Sequence, residues 1–194
     1  MRIIGGNAGG LLLKAPKGFD VRPTPDLVRQ ALFNSLGPRV AGARVLELFA
    51  GTGALSLECL SRGAAFALCI EKSPRHARFI SRNLAQTRLP AAGLQIRTQD
   101  AFAALRQLAA ERQQFDLILA DPPYGEKNTG RRSTSFAQQL LDDPALPETL
   151  RPGGLFILGH TKRDTLSLPP QWQEAKRLKH GDTVMRFLCR NPEI

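Results

Sequence analysis

Apolar residues fall along this chain in two alternating patterns, and the alternation predicts the architecture. Short apolar runs at Val45–Leu48, Ala67–Ile70, Leu94–Gln99, Phe115–Ala120 and Leu155–Leu158 read as buried strands. Between them lie helical patterns. One opens at Ala54. Another, capped by Ser73-Pro74, turns Ala77, Ile80 and Leu84 inward and sets Arg75, Arg78 and Arg82 on another, solvated face. Strand followed by helix, repeated, predicts an α/β domain with a mostly parallel sheet. A basic segment at Ala175–Lys179 and an apolar one at Thr183–Cys189 flank Gly181-Asp182, and this predicts a closing antiparallel hairpin that brings the sheet to seven strands.

Ahead of this domain, Arg2–Lys14 reads as a small β-hairpin around a Gly/Asn turn. Thr24 is then expected as N-cap and Pro25 as the first residue of a helix burying Leu27, Val28, Ala31, Leu32 and Leu36, with a stop at Gly37-Pro38. The expected division is a hairpin-and-helix extension over residues 1–40 and the main domain over 41–194. Gly125–Ser135 is polar and aperiodic, so it is expected to be a mobile loop, and Arg151–Gly154 is expected to be a turn.

Charge sharpens the picture. The net charge of +10 on 194 residues, spread along the chain rather than massed in a tail, points to a folded protein with a polyanionic partner, nucleic acid first. Cys59, Cys69 and Cys189 are isolated within apolar runs, as are His76, His160 and His180 in the sequence, so neither a disulfide framework nor a metal site is expected. No apolar run reaches membrane-spanning length and the N-terminus is poor in apolar residues. A cytoplasmic monomer without membrane or metal is the expectation.

Candidate chemistry collects at the strand ends, where an open α/β sheet binds its ligands. The first strand runs into Gly51-Thr52-Gly53, glycines that allow a tight turn and close backbone approach ahead of a helix N-terminus. The second ends in Glu71, about twenty residues on, where a carboxylate can accept hydrogen bonds from both ribose hydroxyls of a nucleoside. The third ends in Asp100-Ala101, with Asp100 suited either to an adenine amine or to capping the next helix. The fourth ends in Asp121-Pro122-Pro123-Tyr124, whose prolines fix a rigid extended backbone just outside the sheet.

This series resembles the Rossmann-like class I methyltransferases that use S-adenosylmethionine, and Asp121-Pro-Pro-Tyr124 resembles the motif of those that methylate exocyclic base amines. More specifically, Met1-Arg-Ile-Ile-Gly-Gly, Arg22-Pro-Thr, Leu32-Phe-Asn, Glu47–Leu55, Leu60–Ala64 and Lys179–Thr183 resemble the bacterial small-subunit rRNA methyltransferase D family over nearly the whole chain. The resemblance implies methylation of guanine N2 in 16S rRNA of the assembling small subunit. It implies that Glu47, Phe49, Ala50, Gly51, Thr52, Gly53, Glu71, Asp100, Ala101 and Asp121 line the cofactor, and that Asp121, Pro122 and Tyr124 act on the amine. His160, where an acid is expected, and a long basic loop after Tyr124 depart from the family pattern.

The residues themselves support that chemistry. An exocyclic amine shares its lone pair with the base ring, and acceptors such as the Asp121 carboxylate and Pro122 carbonyl free it by holding the N–H bonds, while Tyr124 offers a stacking face. A DNA adenine-N6 methyltransferase could use the same motif but usually needs a target-recognition domain. A protein glutamine methyltransferase typically carries Asn at position 121. A non-catalytic nucleic-acid-binding module would not need Gly51, Gly53 and Asp121 intact.

Overall fold

The computed structural model describes residues 1–16, 24–125, 127–128 and 131–192. Arg22 and Pro23 of the Arg22-Pro-Thr motif lie outside them. Two compact units are present, Met1–Ala101 and Phe102–Ile194.

In the first unit, helix α1 (Asp26–Leu36) precedes strand β1 (Arg44–Leu48), helix α2 (Ala54–Ser61), strand β2 (Phe66–Ile70), helix α3 (Pro74–Thr87) and strand β3 (Leu94–Arg97). The strands pair in parallel, with Leu46 opposite Leu68 and Leu68 opposite Gln95. Helix α1 buries Val28, Leu32 and Leu36 as expected, but its buried face is centred differently, taking in Arg29 and Phe33 and leaving out Leu27. Val28, Arg29, Leu32, Phe33 and Leu36 are buried, Leu27 is 71% exposed, and Pro25 rather than Thr24 occupies the N-cap position, with no side-chain capping bond. Arg29 goes inside because its guanidinium donates to the Arg2 carbonyl and to Asp26 Oδ1 (2.7 Å). Ser73 does cap α3, its hydroxyl accepting the His76 N–H at 3.3 Å, and Arg75, Arg78 and Arg82 are exposed as the periodicity predicts.

Every residue of α2 is buried because the N-terminal hairpin covers it. Ile3, Ala8 and Leu13 pack with Ala54 and Leu57, and the Arg2–Leu12 bridge closes the hairpin. Apolar contact alone would not hold so short a hairpin. The fully buried Glu58 carboxylate accepts the N–H groups of Ile4 (2.6 Å) and Gly5 (2.9 Å) and pairs with Arg62 (2.7 Å), which in turn lies over the Phe33 ring. A second tie comes from Asn83 in α3, also fully buried. Its amide accepts the Lys14 N–H (2.8 Å) and donates to the carbonyls of Lys14 (3.0 Å) and Thr52 (3.1 Å).

The second unit contains helix α4 (Ala101–Ala110, whose first residue closes the first unit), strand β4 (Phe115–Ala120), helices α5 (Phe136–Asp142) and α6 (Ala145–Thr149), and strands β5 (Leu150–Thr161), β6 (Trp172–His180) and β7 (Thr183–Arg190). Strands β4 and β5 are parallel; β5–β7 and β6–β7 are antiparallel, giving the expected closing hairpin. Residues 151–154, expected as a turn, are extended within β5 but bulge from the ladder. Phe115 pairs with Leu150 and Leu117 with Leu155, so Gly153, at φ 76°, absorbs the excess chain. The strand order of the mixed seven-stranded sheet is β3-β2-β1-β4-β5-β7-β6. Cys59 and Cys69 are buried free thiols, and Cys189 is half-buried.

Because Glu58 is the acceptor for two hairpin amides and an arginine, Glu58→Ala should leave all three without their acceptor and lower stability by about 2–4 kcal/mol. Urea unfolding measures the loss, and limited proteolysis should show early cleavage within residues 1–16.

Candidate active site

The chain between β1 and α2 is a tight turn with three residues in the left-handed region. Phe49, Gly51 and Gly53 have φ of 57°, 55° and 72°, a left-handed conformation that is costly for Phe49 and free for the glycines. Gly53 is required for space as well, since a Cβ there would lie 2.7 Å from Ile80 Cγ2. The loop keeps this shape because its amides are held from the neighbouring strand. Ala50 N–H donates to the Ile70 carbonyl (3.0 Å) and Gly51 N–H to Glu71 Oε2 (2.7 Å).

Two carboxylates sit at the strand ends and behave differently. Glu71, 8% exposed, accepts from Gly51 and, through Oε1, from Ser73 N–H (2.8 Å), with His76 Nδ1 3.6 Å away. Each oxygen retains capacity for a further donor. Glu47, 3% exposed, lies beneath the loop; its Oε2 accepts the Ser56 N–H (2.9 Å) and the Cys69 thiol (3.7 Å). Burial pushes its pKa up to about 7, against the downward pull of the bonds from Ser56. Glu71 thus holds the loop itself through Gly51, while Glu47 holds the first turn of α2 through Ser56. Asp100 is more exposed, with Lys72 Nζ 3.9 Å from Oδ2, while Ala101 is buried at the start of α4. Gln99 N–H donates to the Glu71 carbonyl (3.2 Å), which ties this strand end to that of β2.

In the second unit Asp121–Gly125 leaves β4 without regular structure, as the paired prolines require. Asp121 Oδ1 and Pro122 are buried, while Tyr124 is 40% exposed and its hydroxyl is 3.1 Å from that of Thr183 on β7. That contact ties the ring to β7 while leaving it partly exposed. Tyr124 lines a cleft of 820 Å³ together with Pro123, Ser135 and Phe136. His160, on β5, is buried with Nδ1 2.9 Å from the Thr161 carbonyl; burial holds its pKa below the usual imidazole range, so it is neutral at pH 7.

The loop expected to be mobile is pinned where it is described. Asn128 donates to the carbonyls of Arg131 and Thr165 (both 3.0 Å) and accepts the Thr165 N–H (2.8 Å). Residues 126, 129 and 130 lie outside the description. A cleft of 560 Å³ there is lined by Lys127, Arg131, Arg132, Lys162 and Arg163. Arg132 pairs with Asp142 (2.7 Å), and Lys162 (2.9 Å) and Arg163 (3.8 Å) share Asp182, which leaves cations in excess. Lys162 and Arg163 escaped sequence reasoning because only the turn after β5 brings them beside Arg131. Thr183 belongs to the Lys179–Thr183 motif and to the closing hairpin, but nothing in the sequence pairs it with Tyr124. Among the described residues no cluster of His, Cys, Asp and Glu could hold a metal, and no helix is long and apolar enough to cross a membrane.

A mixed seven-stranded sheet with a glycine loop after β1 and an acid after β2 defines the Rossmann-like fold of the class I methyltransferases. Within it, the chain belongs to the small-subunit ribosomal RNA methyltransferase D family. The family model described as Conserved hypothetical protein 95 matches residues 1–189. The chain is 39% identical over 195 residues to ribosomal RNA small subunit methyltransferase D of Escherichia coli (strain K12), covering 100% of this chain and 91% of the relative. It is 38% identical over 180 residues to putative rRNA methyltransferase YlbH of Bacillus subtilis (strain 168), covering 87% and 95%. The solved structure of putative methyltransferase yhhF from Escherichia coli superposes with a TM-score of 0.79 at 28% identity, covering 98% of each chain.

Glu47 carries a pH dependence of its own. Its folded pKa of about 7 lies above the ordinary 4.5, so the stability it contributes is full below about 4.5 and is lost as pH rises through about 7. Replacing it with Gln, which keeps an oxygen for the Ser56 N–H, should abolish a loss of up to about 3 kcal/mol. Melting curves of both proteins at about pH 5 and about pH 8 should show the fall in wild type and a smaller one in Glu47→Gln.

Proposed function

We propose that this protein transfers a methyl group from S-adenosylmethionine to the N2 exocyclic amine of a guanine in 16S rRNA of the small ribosomal subunit. The observation that carries the reading is the Asp121–Tyr124 segment: a proline-locked backbone with a buried carboxylate oxygen at one end and a partly exposed, hydroxyl-anchored ring at the other. A planar amine needs those groups, two acceptors to hold its N–H bonds and a surface for its base.

The first unit suits the nucleoside cofactor. The left-handed turn carries no side chain at Gly51, whose backbone a ligand can approach, and Glu71 has acceptor capacity for ribose hydroxyls. In this reading Asp100, partly exposed beside Lys72, receives the adenine amine, and Phe49–Gly53 and Ala101 line the cofactor. Glu47 supports the first turn of α2 through Ser56. S-adenosylmethionine, when bound, supplies an electrophilic methyl group.

The protein's own residues prepare the nucleophile. The Asp121 carboxylate and the Pro122 carbonyl accept the two amine N–H bonds, which draws the lone pair out of conjugation and steers it. As the nitrogen becomes tetrahedral and positive, Asp121 is the countercharge, so its contribution appears mainly in the transition state. The N–CH3 bond forms as the S–CH3 bond breaks to leave a thioether, and the proton that the nitrogen sheds passes to solvent. Tyr124 holds the base by stacking, and buried, neutral His160 adds no competing charge. The basic cleft of Lys127, Arg131, Arg132, Lys162 and Arg163 takes the phosphate backbone of the RNA. Names of relatives that specify ribosomal RNA of the small subunit support the substrate.

Labelled methyl transfer to small subunits, free rRNA and DNA, followed by nucleoside analysis, tests the reaction: N2-methylguanosine in 16S rRNA is expected, and N6-methyladenine in DNA would overturn it. Asp121→Ala should slow single-turnover transfer at least about a hundredfold with little change in cofactor affinity or melting temperature. Replacing Arg131 and Arg132 together by Ala should weaken RNA binding and reduce the slope of log affinity against log salt by up to about 2, read by titration at several salt concentrations.

A further inference from the structure

Gly159 occupies the third-last position of β5, buried, in the antiparallel ladder opposite Met185. A glycine inside a strand weakens it relative to alanine, by roughly 0.5–1 kcal/mol, and needs a reason. The reason is not backbone conformation, because Gly159 is not among the glycines with positive φ. It is space. A Cβ built at 159 would lie 2.3 Å from Asp121 Oδ1, 3.0 Å from Asp121 Cγ and 3.2 Å from Met185 Sδ.

The parallel register explains the proximity. Ala120 pairs with Leu158, so the next residues, Asp121 and Gly159, lie side by side with their side-chain positions on one face. The Asp121 side chain leans over β5 into the space that the missing Cβ leaves, with buried Met185 closing the far side. Any larger residue at 159 would exclude this rotamer, and aspartate has only a few staggered alternatives.

We infer that Gly159 is a positioning residue for methyl transfer: the absence of its side chain sets the direction of the Asp121 carboxylate. The inference rests on the proposed role of Asp121 and adds a determinant outside the Asp121–Tyr124 motif. Since φ at 159 suits alanine, Gly159→Ala should fold, and its effect should pass through Asp121.

The test is a double-mutant cycle on the full chain with small ribosomal subunits as methyl acceptor. Gly159→Ala should lower kcat about tenfold or more while cofactor affinity stays within about twofold of wild type. In the Asp121→Ala background the same substitution should cost no further rate. The melting temperatures of the four proteins give an independent reading. Gly159→Ala should destabilise less, or stabilise, once Asp121 is Ala, because the contact is gone; this holds even if the single variant folds poorly. Near-normal turnover by Gly159→Ala beside an inactive Asp121→Ala would overturn the positioning role and leave the proposed chemistry standing. Near-normal turnover by Asp121→Ala would instead remove the reading on which the inference rests. Additive losses of rate and stability in the double variant would also overturn it.

Discussion

Backbone amides just past β1, just past β2 and in the first turn of α2 have no partner within a strand or helix, and two glutamates accept them. Gly51 and Ser73 donate to Glu71, and Ser56 donates to Glu47, so the carboxylates on consecutive strands fix both ends of the turn and the first turn of α2. A left-handed Phe49 is tolerable only in a loop so firmly tied. The division of labour follows from depth. Glu71 is near the surface, with capacity for a ligand; Glu47 is sealed in and bonded to protein alone.

The parts of this arrangement that a linear reading captures are those dictated by local chemistry. The paired prolines at 122 and 123 end β4 in any context, and an acid about twenty residues past a glycine turn lands on the adjacent strand tip because one helix and one strand fill that interval. Helix α1 was legible as a helix and in the burial of Val28, Leu32 and Leu36, but not in which flank goes inside. Leu27 and Arg29 both fit a 3.6-residue period, and burial of Arg29 is decided by Asp26 and the Arg2 carbonyl, the latter brought by the hairpin. The excursion at 151–154 keeps its glycine-driven bend but stays in the strand, because β4 supplies partners on either side.

Least legible were contacts made across strands. That Gly159 faces Asp121, that Thr183 meets Tyr124, and that Lys162 and Arg163 line the same cleft as Arg131 all depend on register within β4, β5 and β7. No periodicity records such pairings. They also concentrate around the segment read as amine-binding, where β5 and β7 surround residues that the motif alone leaves unsupported.

Asn83 illustrates how chemistry at one buried atom group limits sequence variation. Its amide must accept one N–H from Lys14 while donating toward two carbonyls, those of Lys14 and Thr52. Aspartate has the length but no donor; glutamine has the donor but one carbon too many for a fully packed site; histidine cannot offer both roles from adjacent atoms. Loss of this one side chain would therefore be a lesion with two addresses, loosening the glycine turn and the N-terminal segment at once.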